Sequence, residues 1–102
     1  MHSSIASKRQ EIAVLCHRYH VRRLELFGSA TGERFDPGRS DMDFAVEFES
    51  LDRESLSNAY FGLLDELEAL LGVQVDLVTS RSIRNPFFKK RLDQTKIPLY
   101  AR

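Results

Sequence analysis

The sequence predicts a small α/β domain of the α+β kind, in which a mixed β-sheet is flanked by helices. Three observations carry that class. Short runs of strand-forming residues recur at 21–27, 41–48 and 73–79, each bounded by turn or cap residues. Between the second and third runs, leucines return at helical spacing over 53–71. The 36–38 segment, Asp-Pro-Gly, is a turn signal that lets the second run fold back beside the first.

The 102 residues suit one domain spanning 1–102. A chain of this size buries roughly 65% of its unfolded surface, enough for one core. Hydrophobic residues make up 42%, an ordinary share for a globular protein. Lys plus Arg number 15, as do Asp plus Glu, so the formal net charge is zero. A general nucleic-acid binder carries a basic excess, and direct nucleic-acid binding is not expected. The single cysteine, Cys16, excludes an internal disulfide. No apolar run approaches the roughly 18 residues of a membrane span, and the N-terminus lacks a signal-peptide core. The expected location is the cytoplasm, with no membrane partner.

Residues 4–20 read as one helix, capped by Ser3 or Ser4, with Ile5, Ile12, Leu15, Cys16 and Tyr19 on its inner face. Cys16 is then a small core residue rather than a reactive thiol. His17 and His20 share a face, but no third ligand follows. In the first strand Val21, Leu24 and Leu26 are apolar around Arg22, Arg23 and Glu25, an imperfect alternation. At its end Gly28 permits a tight turn and close backbone approach to a ligand. Ser29 adds a hydroxyl and an N–H, in a short helical turn expected to reach Thr31.

The second strand carries Asp41 and Asp43 at its mouth. Strands alternate faces with period two. Asp41, Asp43, Ala45 and Glu47 therefore point one way, and Met42, Phe44, Val46 and Phe48 point into a core. Two acids side by side on one strand repel, and a divalent cation relieves that repulsion. The leucine-rich helix follows, with Asp52 as N-cap and Gly72 as its stop. Its stripe comprises Leu56, Ala59, Tyr60, Leu63, Leu64, Leu67, Leu70 and Leu71. Gly62 weakens the helix by about 1 kcal/mol relative to Ala and allows close packing.

In the third strand Asp76 interrupts an apolar run. Considered alone, it reads first as a surface acid on an exposed sheet face. If this strand pairs with the second, at about 4.8 Å, Asp76 comes beside Asp43. Pro86 then opens a helix to about 93, and 96–100 reads as a short edge strand, where Pro98 is tolerated. Arg81, Arg84, Lys89, Lys90 and Arg91 make the tail basic, either as a solvated face or as a patch for phosphates or an acidic partner.

Gly28-Ser29, then Ser40-Asp41-Met42-Asp43-Phe44, then a later strand carrying Asp76, resembles the DNA polymerase β-like nucleotidyltransferase superfamily. Size and element order resemble its minimal nucleotidyltransferase branch, the MNT proteins, over nearly the whole chain. Eleven residues lie between Ser29 and Asp41, one more than usual in the family, and an added loop residue near Pro37-Gly38 accounts for it. The resemblance implies the polymerase β-like fold. It also implies two divalent metals, Mg2+ or Mn2+, on Asp41, Asp43 and Asp76, with Asp76 helping to activate the attacking hydroxyl. Gly28 and Ser29 would hold the triphosphate of ATP.

MNT proteins resemble the antitoxin half of two-gene systems whose other half is a helical HEPN ribonuclease. Transfer of AMP from ATP to a tyrosine of that HEPN toxin is the implied activity. Two alternatives stay open from sequence: neutralisation of the toxin by contact alone, and a small-molecule nucleotidyltransferase of the antibiotic-modifying type, completed by dimerisation.

Overall fold

The computed structural model describes residues 3–27, 42–79 and 86–102. Within them the elements are α1 (Ser3–Ser7), α2 (Arg9–Arg18), β1 (Val21–Phe27), β2 (Met42–Phe48), α3 (Arg53–Leu71), β3 (Val75–Thr79), α4 (Pro86–Thr95) and β4 (Ile97–Ala101). The four strands form one sheet in the order β3-β2-β1-β4. Both β1–β2 and β1–β4 are antiparallel, whereas β2–β3 is parallel, so the sheet is mixed as expected.

The helix expected over 4–20 is two helices. Lys8 lies in the turn between them, with its N–H on the Ile5 carbonyl three residues back. Its ammonium reaches across to the Leu70 carbonyl at 2.5 Å, near the end of α3. At the end of α2, His20 adopts a left-handed φ of 60°. The third strand starts at Val75 rather than 73, because the chain is still leaving the left-handed Gly72 (φ 69°) that ends α3. Asp52 caps α3 as its sequence position suggests, accepting from the Ser55 N–H at 2.7 Å. That hydrogen bond lowers the Asp52 pKa.

Imperfect alternation in β1 has a physical cause. Register shifts between Val21 and Arg23, where Val21 pairs with Phe48 but Arg23 with Glu47. Such a bulge places one extra residue on one strand, so Val21 and Leu24 both stay buried despite their odd spacing.

One sheet face carries the core. Leu24, Leu26, Met42, Phe44, Val46 and Leu77 pack with Ile5, Ile12, Leu15, Cys16, Leu63, Leu67 and Leu71 from the helices. Burial pushes the Cys16 thiol up to about 12, as befits a core residue rather than a nucleophile. His17 and His20 are exposed. Tyr19 crosses from α2 to lie against Gly62, where an added Cβ would come within 2.4 Å of the ring. The close packing anticipated at Gly62 is thus an α2–α3 contact. Glu66 of α3 holds the Tyr19 hydroxyl above its ordinary pKa and pairs with Arg18 at 2.9 Å.

On the opposite face Phe27 and Ala45 are buried beside a half-buried Val78, a small apolar floor separate from the core. The helix α4 lies against β1. Lys96, just after it, holds Glu25 at 3.8 Å and Asp93 at 3.6 Å.

Candidate active site

The site is built on the faces of β2 and β3 that carry the small floor. Asp43 lies second in β2 and Asp76 second in β3, and the parallel register pairs them directly. Register partners on neighbouring strands point to the same face, with backbones about 4.8 Å apart. The next residues on that face are Ala45 and Val78, also partners. Asp43 is simultaneously the partner of Phe27, the last residue of β1. Three strands therefore meet at one rim, where two carboxylates stand beside an apolar floor. Asp43 is half-buried and Asp76 exposed.

The parallel pairing expected to bring Asp76 beside Asp43 is present. Asp41, Gly28 and Ser29, the other residues singled out from sequence, lie outside the described residues, as do Arg81 and Arg84. Lys89 and Lys90 are exposed on α4.

Among the described residues no lysine or arginine forms an ion pair with Asp76. Its recorded electrostatic neighbour is Tyr60, whose hydroxyl is pushed above its ordinary range by burial and then by the Asp76 charge. The donor set fits a hard divalent cation. Magnesium is held by one or two carboxylates with substrate phosphates completing its shell, and Asp43 and Asp76 supply two carboxylates in register. No cluster of three metal-ligating side chains occurs among the described residues.

A cleft of about 370 Å³ opens at the other end of β2, lined by Val46, Glu47, Phe48, Leu56 and Thr79 among others. It shares no residue with the acidic rim. Sequence reasoning also missed two polar contacts next to Asp76. The Tyr60 hydroxyl donates to the Leu77 carbonyl at 2.5 Å, and the Glu68 carboxylate accepts from the Val75 N–H at 3.0 Å. The sequence pattern places Tyr60 only within an apolar stripe. A phenol within a leucine stripe that must find a hydrogen-bond partner was the available signal.

Residues 9–98 match the family of the nucleotidyltransferase domain. The chain belongs to that family. A Methanocaldococcus jannaschii protein, named provisionally as a protein adenylyltransferase, is 40% identical over 90 residues, 87% of each chain. A solved structure described provisionally as a minimal nucleotidyltransferase superposes with a TM-score of 0.75 at 29% identity, covering 93% of this chain and 92% of that one. A toxin–antitoxin structure with AMP-PNP gives a TM-score of 0.67 at 26% identity, covering 92% and 73%. The fold is also that of a Shewanella oneidensis complex of a tri-AMPylated HEPN toxin with its MNT antitoxin, at a TM-score of 0.64, 23% identity and coverage of 95% and 72%. The polymerase β-like architecture expected from sequence is therefore that of a minimal nucleotidyltransferase, and the chemistry of the family is nucleotidyl transfer. No described helix is long and apolar enough to cross a membrane.

Proposed function

We propose that this minimal nucleotidyltransferase moves AMP from ATP to a tyrosine of a helical HEPN-type toxin and so acts as its antitoxin. The observation that carries the reading is the register pairing of Asp43 with Asp76 on a chain 40% identical to a relative named for protein adenylylation. The likeness to a toxin–antitoxin structure with AMP-PNP supports both the nucleotide and the partner class.

In this reading Asp41, Asp43 and Asp76 hold magnesium, for which manganese would substitute, and Gly28 and Ser29 hold the triphosphate of ATP. The metal supplies charge stabilisation for the attacking and leaving oxygens. The tyrosine oxygen forms a bond to the α-phosphorus, the bond from that phosphorus to the bridging oxygen breaks, and pyrophosphate leaves with the electron pair. A free phenol has a pKa of about 10, so its proton needs an acceptor at neutral pH, and Asp76 at the exposed end of the pair takes it. The single domain supplies the donor side and the partner supplies the acceptor. In this reading the reaction runs in the cytoplasm, where ATP is at hand, and needs no nucleic acid.

Incubation with the partner, ATP and magnesium should add about 329 Da per AMP transferred, the mass of one adenylyl group joined through the attacking oxygen with pyrophosphate expelled. Asp76→Asn should abolish that increase while partner binding persists. Neutralisation of the partner by Asp76→Asn with no mass change would assign the effect to contact alone.

A further inference from the structure

Among the described residues the strand that carries Asp76 is an edge strand, with β2 as its one sheet neighbour. Successive residues of a strand direct their backbone N–H and C=O groups to opposite sides, so an edge strand presents every second pair outward without a ladder partner. On β3 two such groups, one on each residue next to Asp76, are taken up by one helix. The Val75 N–H donates to Glu68 Oε2 at 3.0 Å, and the Leu77 carbonyl accepts from the Tyr60 hydroxyl at 2.5 Å. Both bonds are partly buried, where a hydrogen bond is worth more than in water. Two side chains of α3, eight positions apart in the sequence, thus replace the missing strand on either side of the carboxylate.

We propose that Tyr60 and Glu68 are positioning residues for Asp76, clamping its strand so that the carboxylate stays opposite Asp43 during transfer. The proposal rests on the nucleotidyl-transfer reading above. Neither side chain needs to touch substrate. Both act through the backbone of Val75 and Leu77, and the geometry they hold is one in which a misplacement of about 1 Å costs on the order of a hundredfold in rate. The Tyr60 ring also meets Phe61 edge-on at 5.2 Å, so removal of the hydroxyl alone leaves the ring packed.

The test uses the full chain with its partner, ATP and magnesium, comparing Tyr60→Phe, Glu68→Gln and Glu68→Met. Glutamine keeps an oxygen acceptor for the Val75 N–H and methionine does not. Tyr60→Phe and Glu68→Met should each lower kcat about tenfold while KM for ATP moves less than about twofold, and Glu68→Gln should stay within about twofold of wild type. Amide hydrogen exchange at Asp76 and Val78 should quicken at least about tenfold in the two damaging variants. Unchanged exchange overturns the clamp whether or not the wild type transfers AMP. Faster exchange with unchanged kcat, or a Glu68→Gln loss equal to that of Glu68→Met, overturns the positioning role. A wild type that transfers no AMP defeats the transfer reading alone, and the exchange measurement then decides the clamp.

Discussion

Asp43 and Asp76 stand opposite each other in the parallel ladder between β2 and β3, each at the second position of its strand. They are 33 residues apart in sequence, and α3 fills most of the connection. A right-handed crossover through a helix is the standard way to make two strands parallel. The same helix that creates the pairing also supplies Tyr60 and Glu68 to the outer side of β3.

Divalent metal with ATP should stabilise the fold through linkage. At a ligand concentration of 100 times Kd the gain is about 2.7 kcal/mol, readable as a rise in melting temperature. Asp43→Asn should remove most of that rise. Asp65→Asn, an exposed acid on α3, should retain it. Equal shifts in the two variants would remove Asp43 from the metal site.

Gly62→Ala should destabilise the protein even though alanine favours the helix by about 1 kcal/mol, because the new methyl meets the Tyr19 ring. In a Tyr19→Ala background the same change should stabilise by about 1 kcal/mol. Urea unfolding of the four-member cycle measures the reversal, and additive effects would contradict the contact.

The Cys16 thiol, raised to about 12 by burial, makes stability depend on alkaline pH. Above pH 9 the unfolded thiol loses its proton while the folded one keeps it. The unfolded state then binds fewer protons, and stability falls by about 1.4 kcal/mol per pH unit until the folded group titrates. Below pH 9 the contribution is fully present. Cys16→Ala should lack this component, so the difference between variant and wild type changes between pH 9 and 11 in denaturant titrations.

His20 holds a left-handed backbone at φ 60°, a region costly for side chains with a Cβ. His20→Gly should raise stability by about 0.5 kcal/mol, strain relief exceeding the added unfolded-state freedom. His20→Val should lower it by about 1 kcal/mol or more. Thermal unfolding distinguishes the two, and stabilisation by valine would rule out the strain.

Local signals in the sequence by itself determined much of this protein. Alternation placed β1 and β2, leucine spacing with Asp52 and Gly72 bounded α3, and Pro86 opened α4, because caps, turns and periodicity act over a few residues. The acids were legible as a pattern. Tertiary structure decided what local chemistry does not encode. It broke the first helix at Lys8, whose ammonium finds the Leu70 carbonyl, and it shortened β3 to Val75–Thr79. It set the order β3-β2-β1-β4 and the register that joins Asp43 to Asp76. It also turned Tyr60 and Glu68 from a stripe residue and an ordinary helical acid into partners of an edge strand. The physical reason is that strand order, register and edge satisfaction depend on contacts between segments distant in sequence, which form only when the core packs.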